Sequence, residues 1–231
     1  KESCGLIVAG KYVPCRNEAT RPGEDFRMNR EDYKAALSVG EIEAVVHSHP
    51  DASCAASESD VINIEESQVP WLIIEVRQGT YVDYRWHEPT GVVAPLIGRR
   101  FVHGSHDCLS IILDWYTRER GVDLGSFERE DDWWNNGEDH YRYHLPRAGF
   151  QMLKEGAELK TGDVVLMQIK SPVPNHAGVF IKDGLLKSED AGFPVPDCIL
   201  HHMYGRLSRR DVYGGYYAEK TVSVWRHDSE A

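Results

Sequence analysis

A chain of 231 residues allows one large domain or two small ones, and 41% hydrophobic with 27% charged residues excludes disorder as its dominant state. The net charge of −11, with only the short pairs Arg99-Arg100 and Arg209-Arg210 in place of a basic stripe, argues against nucleic-acid recognition. No apolar run approaches the ~20 residues of a membrane span, no signal or transit pattern opens the chain, and a start at Lys1 rather than Met predicts residues upstream.

Taken in chain order, the short β-branched and aromatic runs Cys4–Ala9, Lys11–Pro14, Ile42–Val46, Trp71–Val76 and Tyr81–Trp86 predict strands. Between them Arg30–Val39 and Ser57–Ser67 predict helices, the second with Ser57 as N-cap. The turn formers Glu88-Pro89-Thr90-Gly91 then mark a boundary, giving domains 1–90 and 91–231. Beyond it, Leu109–Arg120 predicts an amphipathic helix with Cys108, Ile111, Ile112 and Trp115 on one face. An irregular stretch, Asp131–Asp139, follows, and strands are predicted at Asp163–Ile169, Ala177–Ile181, Ile199–His202 and Thr221–Trp225. The expected fold is α+β: a mixed α/β unit followed by a compact domain of one helix and a run of strands. The five scattered cysteines form no CxxC pair, which predicts reduced thiols of a cytosolic protein rather than a disulfide scaffold or zinc finger.

Two constellations carry chemistry. In the first, His47 and His49 stand two apart at the end of an apolar strand, so their imidazoles project to the same side. Asp60, one helical turn beyond Ser57, adds a carboxylate. Two His and one carboxylate leave a fourth position open, the pattern of a catalytic rather than a structural zinc. Zinc lowers the pKa of its water to ~7; Glu2 is the candidate general base and Ser57 the candidate donor to a developing oxyanion. This set, Glu2, His47-Ser48-His49-Pro50 and Ser57-Glu58-Ser59-Asp60, resembles the JAMM (MPN+) metallopeptidase signature. The resemblance implies a JAMM/MPN-like domain with Zn2+ held by His47, His49 and Asp60, Glu2 as base, and an amide, often an isopeptide, as the scissile bond.

In the second, His106-Asp107-Cys108 directly precedes the amphipathic helix. A thiolate at a helix start is stabilised by the dipole and the unpaired backbone N–H groups, and Asp107 is a natural N-cap. Cys108 shares the helix's apolar face and is expected to point toward the sheet, where His176, opening the strand after Pro172 and Pro174, supplies an imidazole. Gly178 is expected to leave room beside the thiol. His201 or His202, at the end of the next strand, is placed to orient the second ring nitrogen of His176. Trp133, Trp134, Tyr141 and Tyr143 either line a substrate groove or pack.

The Asp-Cys pair at a helix start, the His-x-Gly strand and the Gly162-Asp163 strand entry resemble the NlpC/P60 family of papain-like cysteine peptidases. That resemblance implies Cys108, His176 and His201 as the catalytic set, with Lys187–Asp197 an inserted loop that lengthens the usual spacing to the third residue. The order of the two motifs, with Phe101-Val102-His103-Gly104, Leu207-Ser208 and Tyr213-Gly214-Gly215-Tyr216 around them, is similar to a family of tail-tip proteins of lambda-like siphophages. It implies a place at the virion tail tip, host cytoplasm during assembly, other tail-tip proteins as partners and peptidoglycan stem peptides as substrate, the γ-D-glutamyl–diaminopimelate bond among them. A net charge of −11 suits an anionic wall poorly, so neighbouring tail proteins are expected to deliver the enzyme. The alternatives are a structural hub with idle catalytic residues and an assembly protease that processes a tail component.

Overall fold

Two-residue turns join neighbouring strands in the first part of the chain. In the computed structural model, which describes residues 1–127 and 133–230, the chain divides into two compact units, Lys1–Val93 and Ala94–Ala231, just beyond the predicted turn.

In the first unit, β1 (Cys4–Val8) and β2 (Lys11–Cys15) form a hairpin closed by Ala9 and Gly10, both at positive φ, the turn that matches strand twist. Helix α1 (Arg30–Leu37) is capped by Asn29, whose side chain accepts from Asp32 N. Strand β3 (Ile42–Pro50), helix α2 (Glu58–Ser67) and β4 (Trp71–Arg77) form a parallel crossover, and β5 (Thr80–His87) pairs antiparallel with β4. The sheet order is β2-β1-β3-β4-β5. Its core joins Leu6, Val8, Ala36, Val45, Ile64 and Trp71. The predicted end of the third strand at Val46 falls short: parallel pairing to β4 runs from Val45↔Trp71 to Pro50↔Val76 and carries the strand on to Pro50. His47 and His49 therefore sit inside a central strand, with backbone held on both sides as far as His47.

In the second unit, α3 (Ser110–Trp115) is followed by a single π-helical turn, Tyr116–Arg120, that ends at Gly121 in the left-handed region. The uninterrupted α-helix expected over Leu109–Arg120 is corrected to this shorter α-helix and wider turn. The sequence pattern of apolar positions is the same for both, and Ile111, Ile112, Trp115 and Tyr116 are all buried. Then come α4 (His140–His144), β6 (Phe150–Met152), β7 (Val164–Met167), β8 (His176–Ile181), β9 (Cys198–His201), β10 (Arg209–Val212), α5 (Gly215–Lys220) and β11 (Thr221–His227). Asp131 and Asp132 of the predicted irregular stretch lie outside the described residues.

All pairings in this unit are antiparallel, in the order β10-β9-β8-β7-β11-β6. The central strands β7, β8 and β9 are buried throughout because both faces are covered. Val164, Leu166, Val179 and Leu200 pack with the α3 side chains. Val165, Met167, Phe180 and Ile199 form a smaller cluster on the other face. Asp163, with no exposed surface, takes a bidentate pair from Arg226 at 2.7 Å on each oxygen, which ties the entry of β7 to β11.

Candidate functional site

The strand register brings the first constellation together. Cys4 lies opposite His47, and Ser48 N donates to Ser3 O while Ser3 N donates to Ser48 Oγ, so the pairing extends outward toward Glu2 and His49. Glu2 is buried although it stands near the chain start. Asp60 comes from the other side, as the third residue of a reciprocal capping box: Asp60 N donates to Ser57 Oγ at 3.1 Å, and Ser57 N donates to Asp60 Oδ2 at 2.7 Å. Ser57 is thus the cap rather than a residue on the helix face. Its hydroxyl accepts from Asp60 N and shares a 3.1 Å contact with Ser59, so its direct part here is to aim Asp60.

His47 Nε2 and His49 Nε2 are 3.0 Å apart, and the two oxygens of Asp60 lie 3.4 Å and 3.3 Å from them. A tetrahedral zinc with bonds of about 2.0–2.1 Å sets its ligand atoms about 3.3 Å apart, so the spacing suits that ion. The donor chemistry agrees. His49 Nδ1 lies 2.7 Å from Ser53 O, an acceptor only, so that nitrogen carries a proton and Nε2 is the one turned to the cluster. Two imidazole nitrogens and a carboxylate then converge on one point, a donor set of the kind that holds zinc. His47 is stacked on Phe26 at 4.7 Å, and its Nδ1 is buried without a hydrogen-bond partner.

The protonation tendencies follow from burial and charge. Burial pushes Glu2 up to about 7 and His47 down to about 4. Burial alone would raise Asp60 too, but the hydrogen bond from His49 and the charge of His47 outweigh it and hold the carboxyl below its usual range. The same hydrogen bond to Asp60 raises His49.

In the second unit, Asp107 starts the helix from one residue before Cys108. Its Oδ1 accepts from Leu109 N and Ser110 N, both at 3.0 Å, and its own N–H donates to Ser110 Oγ at 2.6 Å. Formally α3 begins later, after Leu109, which makes no side-chain cap. Cys108 is half-buried, with Sγ 3.2 Å from Tyr141 Oη of α4. It lines one cleft of about 180 Å³ with His176, Asn175, Trp133, Trp134 and Tyr141. Tyr143, one of the predicted groove aromatics, is instead 56% exposed and off this cleft.

His176 Nε2 is 2.9 Å from His201 Nδ1, both rings buried. His202 also lines the cleft, but its Nε2 bonds Arg206 O at 3.0 Å rather than His176. Of the two alternatives open in the sequence, His201 is the one brought to His176. Gly178 is corrected: the room it leaves is for His201, which lies opposite it in the β8–β9 register, and not for the thiol. A Cβ at Gly178 would stand 2.9 Å from both His201 Cβ and Leu200 O. Gly178→Ala is accordingly expected to cost about 1–3 kcal/mol of stability and to displace the His201 ring. Thermal unfolding checks this, and wild-type stability would contradict it.

One partner escaped sequence reading: Asp211, whose Oδ2 lies 3.1 Å from His201 Nε2. It sits on the edge strand β10, whose residues Arg209-Arg210-Asp211-Val212 carry no apolar alternation to announce a strand.

Burial pushes His176 down to about 3 and His202 to about 4, and lowers His201 as well, so the folded unit holds neutral rings. Each folded value lies below the unfolded ~6.5, so the unfolded chain binds more protons below that pH. Stability is therefore present above about pH 6.5 and is lost as pH falls toward the folded values. Hydrogen-exchange mass spectrometry on peptides spanning residues 164–201 of the full chain is expected to show faster opening, after correction for intrinsic exchange, at pH 5 than at pH 7. A flat profile would contradict it.

A helix-start cysteine and a strand-start histidine in one cleft of an antiparallel sheet define a thiol-hydrolase type of site, and the chain belongs to the NlpC/P60 family, which matches residues 98–226. Nearly the whole chain is also similar to Tail tip assembly protein K of Escherichia phage N15, at 33% identity over 98% of this chain and 88% of that protein. The protein of the same name from Escherichia phage lambda is 37% identical over 87% of this chain and 89% of its own length. A solution structure of a protein from Salinibacter ruber matches 41% of this chain and 78% of its own at 19% identity, with a TM-score of 0.25. No helix among the described residues is long and apolar enough to cross a membrane.

Proposed function

We propose that this chain is a phage tail-tip protein with two independent hydrolytic centres. One is a cysteine peptidase at Cys108, His176 and His201 that cuts amide bonds in peptidoglycan stem peptides. The other is a zinc-dependent amide hydrolase, of JAMM type, at His47, His49 and Asp60. The observation that carries the reading is the shared cleft of Cys108 and His176, with His176 held by His201 at 2.9 Å. The family and the names of the phage relatives support the setting.

In the first centre, Cys108 stands at the helix start that Asp107 caps. His176 takes the thiol proton as Sγ attacks the carbonyl carbon of the scissile amide. The Tyr141 hydroxyl, 3.2 Å from Sγ, is a donor available to the carbonyl oxygen as it gains charge. The C–N bond breaks as His176 returns the proton to the leaving amine, and a thioester to Cys108 remains. Water, deprotonated by His176, then releases the acid and regenerates the thiol.

In the second, His47, His49 and Asp60 would hold the metal, with His49 oriented by Ser53 O and Asp60 by Ser57. Zinc when bound there supplies Lewis acidity and a water acidified to about neutral pH. Glu2, a carboxyl raised to about 7 by burial, receives and returns a proton at its carboxylate.

Digestion of purified diaminopimelate-type peptidoglycan by the full chain tests the substrate. Mass spectrometry is expected to find new diaminopimelate amines matched by free D-glutamyl γ-carboxyls. A muropeptide profile unchanged by the wild-type protein would overturn the proposed substrate. The word "assembly" in the relatives' names favours a second reading for the zinc centre, cleavage of a tail component. Particles built with His47→Ala would then carry an uncut tail protein, and normal processing would exclude it.

A further inference from the structure

The polar chain that begins at His176 does not stop at His201. His201 has no exposed surface and lies on β9 opposite Gly178 of β8 and Arg209 of β10. Asp211 stands two residues further along β10 on the same face, one diagonal step away and within side-chain reach. Its Oδ2 lies 3.1 Å from His201 Nε2. That oxygen also accepts from the Tyr217 hydroxyl at 2.5 Å and sits 2.9 Å and 2.8 Å from Arg209 Nε and Nη2. Burial would raise the Asp211 carboxyl, but the hydrogen bonds from Tyr217, His201 and Arg209 outweigh it and keep it below its ordinary range, ionised at neutral pH.

An ionised carboxylate only accepts hydrogen bonds, so His201 Nε2 carries the proton. The buried His201 ring is neutral and holds a single proton, which leaves Nδ1 bare. Nδ1 faces His176 Nε2 at 2.9 Å, so that nitrogen must be the donor and the His176 proton sits on Nε2. The other nitrogen of His176, Nδ1, is then the one with a lone pair for a thiol proton. If the His201 proton moved to Nδ1, His176 would have to accept at Nε2 and carry its own proton on Nδ1, and the ring could not take one from sulfur.

We infer that Asp211 is a positioning residue that sets the tautomers of His201 and, through it, of His176, so that the second imidazole can accept the Cys108 proton. The inference rests on the cysteine-peptidase reading given above. It extends the set to Cys108, His176, His201 and Asp211, the last two acting without touching substrate.

Long-range proton–nitrogen correlation spectra of the full chain labelled with [15N]histidine test it without any variant. In the wild type, His176 and His201 are both expected as the Nε2–H tautomer; a His201 carrying its proton on Nδ1 would overturn the inference, whether or not any variant folds. Second-order alkylation of Cys108 by iodoacetamide, followed by peptide mass spectrometry at pH 7, gives a readout of thiol activation that needs no substrate. Asp211→Ala is expected to slow it at least about tenfold and to populate Nδ1–H at His201. Asp211→Asn, whose amide oxygen still accepts at Nε2, is expected to restore most of the rate and the original tautomer. A purely structural Asp211 would lower stability in both variants and leave tautomer and alkylation unmoved, and folded Asp211→Ala at the wild-type rate would sink the proposal. His176→Ala separates the two levels. If it lowers alkylation while Asp211→Ala does not, the role of Asp211 alone falls; if it too has no effect, the cysteine-peptidase reading falls with it.

Discussion

Cys108→Ala is expected to abolish the proposed cleavage of peptidoglycan stem peptides, a loss of at least about 10⁴-fold in kcat, because it removes the thiol that forms the acyl intermediate. The residual rate would come only from binding and from hydrogen bonds to the carbonyl oxygen. Folding should survive the change. Cys108 is half-buried at the cleft, whereas the side chains that hold α3 to the sheet, Ile111, Ile112 and Trp115, are untouched. The cap also remains, since it is made by Asp107 and Ser110. Kinetics on an isolated muropeptide, together with thermal unfolding of the same preparation, check both halves. Undiminished kcat in Cys108→Ala would remove the thiol from the mechanism, and collapse of the fold would show that the residue packs rather than reacts.

The second large effect concerns the metal. The full chain prepared with zinc is expected to hold about one equivalent, and His47→Ala or Asp60→Asn to hold none, because three protein ligands are the minimum for a catalytic site. Loss of Asp60 also removes the acceptor of the Ser57 cap bond, so Asp60→Asn tests the ligand with the helix start partly preserved. Zinc at about a hundred times its dissociation constant stabilises the folded chain by about 2.7 kcal/mol, which a chelator should reverse as a fall in unfolding temperature. The rate of Cys108 alkylation should not change on chelation, since a thiolate nucleophile requires no metal. Elemental analysis and calorimetry provide the measurement. A folded wild type that takes up no zinc, or one whose His47→Ala variant binds it equally, would contradict the site.

Which parts of this arrangement were legible in the sequence follows from where the physics is local. The strands of the first unit announce themselves in β-branched runs, since a half-buried strand selects those side chains position by position, whereas their pairing does not. Ser57 and Asp60 are legible as a helix start, because capping chemistry is carried by residues three apart in the chain. The gathering of His47, His49 and Asp60 needed the crossover between β3 and β4, yet it was anticipated because the His-x-His alternation and the cap each fix one direction.

The rest depends on register, which no single segment encodes. His201 and His202 are neighbours at the end of one strand, and only the pairing Gly178↔His201 decides which ring meets His176. Gly178 reads as a gap beside sulfur until that register shows it to be a gap beside imidazole. Asp211 lies on an edge strand of charged residues, where exposure removes the apolar pattern that betrays its neighbours. The π-helical turn at Tyr116–Arg120 keeps the same residues buried as an α-helix would, so periodicity is blind to it. Strand Phe150–Met152, three residues long, is too short for alternation to register.

Stem-peptide cleavage by the proposed centre requires Cys108 as its nucleophile. Graded treatment of the chelated full chain with iodoacetamide tests it most directly, with stem-peptide cleavage plotted against the fraction of Cys108 alkylated. A line that falls to zero as Cys108 is consumed is the expected result. Cleavage that persists when every Cys108 carries the label would contradict it.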